Sequence, residues 1–441
     1  MFYREAGQFK TSYKADQALF PILQDRVGLA VILITAFAVI PALANDFFLT
    51  SIMIPFLVFS LAAIGLNVLT GFAGQLSLGS GAFMGVGAYA AYKLTSIFPD
   101  VNVIFLVLVS GFFSAAIGAV FGLPSLRIKG LYLAVTTLAA QFFLEWCFIR
   151  IPWLYNYNAS GAIEIPKREM FGVTISGAEA TPLARYFVVL AITVFIALVI
   201  ANVLRGRIGR SWMMIRDMDI AAELMGIRPL QTKLLAFGVS SYICGVAGAM
   251  MVFFWLNAAE PSSYSITLSF QILFMVILGG LGSLGGSFMG AAFIWILPVF
   301  LKFIPGVIGV DIAAETVEHL TFMIVGALII FWLTWFGVRK RQFNAASRLQ
   351  GWLSAHVYLG ASLIFVATLH TGFQFGWNVH TLAYALMLAV IISGFYGIYA
   401  YARYPNLMTQ NRAGESFQGM LDEIAELDNE AVSVSDRINP K

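Results

Sequence analysis

Apolar residues fill long, closely spaced runs along this chain, and short polar or charged stretches separate them. About twelve runs have the length of roughly 17–25 residues that crosses a bilayer. Inside lipid, only a helix satisfies its own backbone within a single segment. The pattern therefore predicts an all-α polytopic membrane protein with runs near residues 27–44, 48–70, 78–96, 102–123, 130–149, 185–204, 233–256, 267–283, 286–303, 320–338, 353–370 and 381–402.

The composition agrees with this pattern and excludes a soluble protein. Of the 441 residues, 60% are hydrophobic and only 11% are charged, whereas about 25% of a soluble domain is charged. The net charge is +3, and the basic residues cluster in the loops between apolar runs. This arrangement indicates membrane topology, not nucleic-acid binding.

The basic loops predict which side of the membrane each segment faces. We place both termini inside, together with Arg127, Lys129, the loop 205–233 and the basic run 339–341. The segment 150–184 then lies outside, although its own basic residues run against the rule. Residues 1–26 form a cytoplasmic N-terminal segment, and the first apolar run is expected to be a retained anchor.

Two glycine-rich interruptions break the apolar pattern, one in each half of the first 338 residues. The first lies within 65–89, and a second, similar one lies within 279–290. Paired interruptions of this kind favour a translocation pathway built from broken helices. Close helix packing, interhelical hydrogen bonds and chance similarity of glycine-rich sequence remain open alternatives. The residues assigned to the pathway are Asn67, Gly74, Gln75, Ser77, Gly79, Thr136, Thr137, Gln141, Gln271, Gly279, Gly280 and Gly282.

The loop 205–233 contains a short amphipathic helix. Apolar residues recur at helical spacing from Met214 to Met225, and Gly226 followed by Pro229 ends the helix. Such a face must be buried, either at the membrane interface or in a partner protein. Acidic and basic residues share its polar side, which favours a protein partner.

Several motifs resemble one known family. The stretch 221–226, Ala-Ala-Glu-Leu-Met-Gly, resembles the Ala-Ala-x-x-x-Gly coupling loop of ABC importer permeases. Together with 71–89, 123–138, 233–249 and 278–291, it resembles the branched-chain amino acid permease family, LivM type, over about residues 45–338. Ile220 occupies a position at which the coupling loops of other ABC permeases commonly have a Glu. The resemblance assigns the contact with an ATPase to Arg216, Asp217, Ala221, Ala222, Glu223 and Gly226.

The resemblance implies the function of a permease subunit without enzymatic activity. The partners would be ABC ATPase subunits, a second permease subunit, an extracytoplasmic substrate-binding protein and membrane lipid, with no nucleic acid. The substrates would be branched-chain or related small amino acids, with urea or short amides as alternatives, and the location would be the bacterial inner membrane. The chain has no Walker A motif.

The resemblance ends near residue 338, and a different segment follows. A basic linker (339–352) leads to two further spans (353–405) and an acidic cytoplasmic tail (406–441), which we expect to hold one or two helical turns and to be otherwise disordered. His356, His370 and His380 lie in the two spans. The two-span segment resembles part of a cytochrome b-type haem-binding bundle, with His370 and His380 as candidate ligands of haem b. The alternative is that these are interfacial histidines on two anchor helices. The permease part needs no cofactor or metal, and an electron-transfer protein, alone or fused to a permease, is the alternative function.

Overall fold

A computed structural model describes residues 23–126, 132–170, 172–177, 179–308, 383–397 and 417–438, with short pieces between 360 and 381. The chain divides into two units, Met1–Thr321 and Phe322–Lys441. Each is described by itself.

The first unit is built from ten helices in its described part. Helix α1 runs over Leu23–Ile34, continues through a π-helical segment, Thr35–Val39, and ends with Ile40–Leu43; α2 combines Asp46–Phe48, Leu49–Met53, Ile54–Asn67 and Val68–Phe72. The others are α3 (Ser80–Ile97), α4 (Val103–Ser125), α5 (Tyr132–Arg150), α6 (Pro182–Arg205), α7 (Arg207–Leu224), α8 (Pro229–Met250, extended by Met251–Leu256), α9 (Ile266–Gly279) and α10 (Leu284–Ile308).

Within the described residues, seven helices are long and apolar enough to cross a membrane. They correspond to α1, α2, α4, α5, α6, α8 and the segment Pro261–Gly279. The chain is therefore a multi-pass membrane protein. Helices α3 and α10 also lie at predicted runs, but α3 is not one of the seven, and the apolar part of α10 is shorter, Leu284–Val299.

Helices α2 and α8 form the centre of the first unit. Every residue of Ile54–Asn67 except Phe56 is buried, and α8 packs against α2, α3 and α4. Lipid tails are as apolar as leucine, so helices in a membrane associate through close packing more than through hydrophobic burial.

Close packing around α8 depends on glycine. A Cβ atom at Gly248 of α8 would lie 1.9 Å from the Met84 carbonyl oxygen of α3, and one at Gly87 of α3 would lie 2.0 Å from the Gly245 carbonyl oxygen of α8. Both neighbours are backbone atoms and cannot rotate away. On the other side, Gly118 of α4 faces the Ser241 side chain.

Short strands depart from the all-α prediction. Strand β1 (Ile163–Glu164) pairs antiparallel with β4 (Ala258–Ala259), with Ile163 opposite Ala259. Strand β2 (Arg168–Met170) pairs with β3 (Val173–Ser176), with a register shift after Arg168. Strands β1 to β3 lie in the long α5–α6 connection, and β4 lies in the α8–α9 connection. Their pairing provides hydrogen-bond partners for the backbone of these connections.

The described part of the second unit contains two longer helices, α11 (Ala383–Gly397) and α12 (Phe417–Ile438). The Thr368 and Tyr384 hydroxyls are 2.7 Å apart. The expectation of one or two helical turns in the tail was wrong, because α12 has 22 residues. Leucine, glutamate and alanine within it favour a helix, and its apolar residues recur at helical spacing.

We expect Gly248→Ala to destabilise the protein, because the new methyl group would push α8 away from the backbone of α3. Overpacking of this kind costs about 1–3 kcal/mol. The measurement is the thermal unfolding midpoint of the detergent-solubilised protein. Gly238→Ala is the matched control in the same helix, since a Cβ there meets nothing within 4 Å. Equal midpoints for the two variants would contradict this account of the α3–α8 contact.

Candidate functional site

Helix α7 is divided into two arms. Met218 has φ −162° and ψ 97°, an extended conformation inside the helix. We therefore distinguish a first arm, residues 207–217, from a second arm, residues 218–226. Trp212 anchors the first arm, because it is fully buried and its Nε1 donates to the Thr232 carbonyl oxygen at 3.1 Å. Lys233 Nζ lies 3.8 Å from Asp219 Oδ2 on the second arm. The predicted single amphipathic helix is thus present but kinked.

The second arm ends where the sequence predicts, at Gly226. The Ile227 amide donates to the Ala222 carbonyl and the Gly226 amide to the Glu223 carbonyl, which is a Schellman cap. Gly226 has φ +85°, a conformation that only glycine adopts without strain. The cap holds the exposed tip of the loop in one shape.

The second arm carries an exposed apolar surface, which we call the α7 patch: Met218, Ile220, Leu224 and Met225. These side chains are 65%, 59%, 86% and 72% exposed, whereas Ala222 is 1% exposed. The sequence pattern predicts Ala222 on the apolar face, and the family resemblance assigns it to the ATPase contact; in the structure Ala222 is buried, whereas Ile220 and Leu224 are exposed. Asp217 and Glu223 are exposed, and Ala221 is half-buried.

Arg216 lies at the kink and reaches into the body of the protein. Its Nη1 donates to the Gly71 carbonyl at the end of α2, at 3.0 Å, and its Nε pairs with Asp217 Oδ1 at 2.9 Å. A Cβ atom at Gly74 would lie 2.9 Å from Arg216 Cγ, and one at Gly282 would lie 3.2 Å from Nη1. We call Gly71, Gly74 and Gly282 the glycine junction. Both glycine-rich interruptions therefore meet at this one side chain of α7.

Asn67 joins the two interruptions to each other. The side chain is fully buried, and its Oδ1 accepts from the Gly282 amide at 2.9 Å. Its Nδ2 donates to the Ser283 carbonyl and the Ser287 hydroxyl, both at 2.9 Å. A Cβ atom at Gly71 would lie 1.9 Å from Asn67 Oδ1. Asn67 thus fixes the turn between α9 and α10 against α2.

Gln141 caps the first turn of α3, where the chain resumes a helix after the first interruption. Its Oε1 accepts from the Ala82 amide and the Ser269 hydroxyl, both at 2.8 Å, and its Nε2 donates to the Tyr264 carbonyl at 2.8 Å. The Gly81 amide donates to the Ser269 hydroxyl. The first amides of a helix have no partner inside the helix, so these bonds satisfy groups that the interruption leaves free.

Thr137 holds the chain just before α3, because its hydroxyl accepts from the Leu78 amide at 2.9 Å. Ser77 and Gly79 are buried next to it, and a Cβ at Gly79 would lie 2.8 Å from the Thr137 carbonyl. In this conformation, Asn67 and Gln141 make hydrogen bonds between helices, whereas Thr137 binds the first interruption and the Ala134 carbonyl of its own helix.

Other predicted pathway residues keep accessible surface. Gly74 is exposed, and Gln75, Thr136 and Gln271 are half-buried. Gly279, Gly280 and Gly282 belong to the turn between α9 and α10, where a Cβ at Gly279 would lie 1.9 Å from the Gly286 carbonyl. The second interruption is therefore a tight helical hairpin.

Sequence reasoning missed Ser269, Ser287 and Trp212 as parts of this arrangement. The serines are small polar residues within apolar helices, a common sign of an interhelical hydrogen bond. The local sequence could not identify the hydrogen-bond partners of these residues, because partners such as Asn67 and Ser287 are 220 positions apart.

A second cluster of polar contacts lies at the opposite end of α3. This helix has 18 residues and is therefore about 27 Å long. We call it the β end. Arg168 donates to the Thr95 carbonyl at 2.7 Å and to that of Pro99, and Lys93 lies over the Trp153 ring at 4.1 Å. The strands are therefore attached to the end of α3.

An ion pair stands on the surface of the β end. Lys167 Nζ lies 2.8 Å from Glu179 Oε2, with both side chains at least half exposed. The hydrogen bond and the charge of each group raise the pKa of Lys167 and lower the pKa of Glu179. Exposed pairs of this kind contribute little to stability, so we assign it no more than a local role.

Most of the described first unit matches one known protein family. The model of the permease component of the branched-chain amino acid transport system matches residues 48–333, well over half of the chain. The chain belongs to this family. The matched region runs from residue 48, within α2, to beyond α10, and therefore includes the α7 patch and the glycine junction.

Curated members of the permease family are similar over part of their length. The LivM permease proteins of the high-affinity branched-chain amino acid transport systems of Salmonella typhimurium and Escherichia coli are each 32% identical over 250 residues. The aligned part is 52% of this chain and 57% of each relative, so the chain spans little more than half of their length. A probable LivM permease of Methanocaldococcus jannaschii is 22% identical over 240 residues, covering 52% of this chain and 66% of the relative. No solved structure matches.

The residues after 333 lie outside the family match. His370 and His380 lie outside the described residues, so the haem hypothesis remains a sequence prediction. Among the residues that the structure describes, no three His, Cys, Asp or Glu side chains are grouped so that they could hold a metal ion.

We expect Gln141→Leu to destabilise the permease, because it leaves the Ala82 amide, the Ser269 hydroxyl and the Tyr264 carbonyl without their partner. An unsatisfied buried polar group costs roughly 1–3 kcal/mol. Thermal unfolding in detergent measures the effect, and Gln271→Leu is the control because Gln271 is only half-buried. If both variants unfold at the same temperature, Gln141 does not cap α3.

Proposed function

We propose that this chain is the permease subunit of an ABC importer for branched-chain or related small amino acids. The observation that carries the proposal is the contact between Arg216 of α7 and both glycine-rich interruptions. A motion of α7 would act through this side chain on α2 and on the α9–α10 turn together. Family membership supports the class of protein, and the substrates are those in the names of the similar proteins. Urea or short amides are the alternative substrates.

The α7 patch is the proposed docking surface for the ATPase. The second arm presents four exposed apolar side chains beside Asp217 and Glu223. An exposed apolar patch with a polar rim is typical of a protein interface. The chain has no Walker A motif, so separate subunits would supply ATP hydrolysis. Arg216, Asp217, Ala221, Ala222, Glu223 and Gly226 keep their assignment to coupling, with Ala222 supporting the arm from inside.

We assign the α7 end to the cytoplasm and the β end to the outside of the bacterial inner membrane. The segment 205–233 has six basic and three acidic residues, and cytoplasmic loops carry an excess of Lys and Arg. An extracytoplasmic substrate-binding protein would then dock at the β end, and a second permease subunit would complete the pathway. The proposed organisation keeps a permease domain at 27–338 with about ten spans, two further spans at 353–405, and both termini inside.

The pathway would open and close at the glycine junction. Gly74 and Gln75 are accessible there, whereas Asn67, Thr137 and Gln141 hold the helices together. Alternating access in transporters often moves one group of helices as a rigid body around a fixed site. We therefore propose that Asn67, Thr137 and Gln141 keep the helices rigid and that Gly74, Gln75, Thr136 and Gln271 are the closer candidates for contact with substrate.

Arg216→Gln tests the transmission of motion. We expect uptake of radiolabelled leucine to fall by about tenfold or more in cells that also express the ATPase subunits, while the ATPase still co-purifies. Coupling energies of roughly 1–3 kcal/mol correspond to about 5–150-fold effects. Arg228→Gln is the matched control, because it removes the same charge from the same segment at a residue outside the contact with the glycine junction.

The two ways in which this experiment can fail are distinguishable. A wild-type chain that supports no uptake of leucine, urea or short amides would overturn the importer function. Wild-type uptake that persists in Arg216→Gln would overturn only the role of Arg216.

Gly226→Val tests the docking surface separately. The φ of +85° is strained for a β-branched residue, so we expect the second arm to lose its cap and its fixed shape. Co-purification of the ATPase should then decrease, with the permease still present in the membrane at wild-type level. Undiminished co-purification would show that the cap does not shape the docking surface.

A further inference from the structure

Helix α12 carries a heptad pattern that the family match does not cover. Apolar residues occupy positions 417, 420, 424, 427, 431, 434 and 438, alternating in steps of three and four. Steps of three and four along 22 helical residues place these positions on one narrow stripe. This is the a/d pattern of a two-stranded coiled coil.

The stripe is uncovered in its described part. Ile424, Leu427 and Val434 are 62%, 58% and 46% exposed, and every other residue from 422 to 434 is exposed as well. A single helix of this length is marginally stable in water unless its apolar face packs on something. We therefore expect another protein or lipid surface to pack on the stripe.

The charges beside the stripe identify the kind of occupant. The e and g positions that flank it include Glu423, Asp428 and Glu430. In a parallel pair of identical helices, Glu423 of each copy would face Asp428 of the other copy. In an antiparallel pair, acidic residues at the g positions would face each other across the interface. Like charges at these positions disfavour pairing. The whole helix has six acidic residues and one arginine, so two copies would repel each other further.

The same charges argue against a lipid surface as the occupant. Helices that lie on membranes typically carry Lys and Arg on their polar face, which anionic lipids attract. The polar face of α12 is acidic. Basic e and g positions on a partner helix would instead face Glu423, Asp428 and Glu430 with the opposite charge.

We propose that α12 is a docking helix that forms a two-stranded coiled coil with a basic amphipathic helix of another protein. The proposal is independent of the importer function, because the family match ends at residue 333. It assigns to the end of this chain the recruitment of a soluble or membrane-associated partner.

The first experiment uses the full chain in nanodiscs of zwitterionic lipid and three labelled synthetic helices as probes. The probes share apolar a and d residues and carry Lys, Gln or Glu at every e and g position. We expect the Lys helix to bind at least about tenfold more tightly than the Gln helix, with an affinity that falls as salt is added, and the Glu helix not to bind. Equal binding of all three helices would overturn the proposal.

Two variants show whether binding uses the stripe. Leu427→Asp should abolish binding of the Lys helix, and the double variant Glu423→Lys, Glu430→Lys should transfer binding to the Glu helix. Asp422→Lys is the matched control, because position 422 lies opposite the stripe, and it should reduce binding only slightly. Retention of the Lys helix by Leu427→Asp would contradict the assignment.

A second experiment tests the occupant in native membranes. A photo-crosslinking amino acid is placed at position 427, and the crosslinked peptide is sequenced. We expect a basic helical segment of another protein, and we expect the crosslink to disappear in the Glu423→Lys, Glu430→Lys variant. A crosslink to a second copy of this chain, to lipid alone, or to a segment without basic residues would overturn the proposal.

Discussion

A helix that breaks inside a membrane must find new partners for the backbone groups it frees, and the first unit is arranged around this requirement. Gln141 and Ser269 bind the first amides of α3, and Thr137 binds the Leu78 amide just before α3. Asn67 binds the Gly282 amide in the turn between α9 and α10. The side chains come from helices far apart in sequence. The interruptions are therefore stable only when α2, α3, α5 and α9 are assembled together.

The same interruptions explain how a surface helix can influence the membrane part. Arg216 contacts the Gly71 carbonyl and lies against Gly74 and Gly282, positions where a larger residue would exclude it. Glycine thus provides the space in which one cation reaches two interruptions. The extended Met218 next to it separates this inner contact from the α7 patch outside. One short segment thereby joins an exposed apolar surface to the centre of the fold.

The chain combines a family-typical region with an end of different character. The family match stops at residue 333, whereas α12 lies beyond it, acidic, amphipathic and exposed. Its stripe has the spacing of an interface between helices, because apolar residues recur in alternating steps of three and four from 417 to 438. The two parts thus present two different kinds of surface to partners, an apolar patch on α7 and a charged seam on α12.

The sequence by itself determined the membrane class, the approximate positions of the helices and the end of α7 at Gly226. Long apolar runs and a glycine followed by proline are local signals that depend on a few neighbouring residues. Tertiary structure decided what the polar residues do. By residue type alone, Asn67 and Gln141 suit a pathway or an interhelical bond. Their bonding partners Ser287 and Ser269 lie 220 and 128 positions away, so only the fold shows these bonds. The kink at Met218 likewise depends on how both arms of α7 pack, so only the tertiary structure shows that Ala222 is buried while Ile220 and Leu224 are exposed.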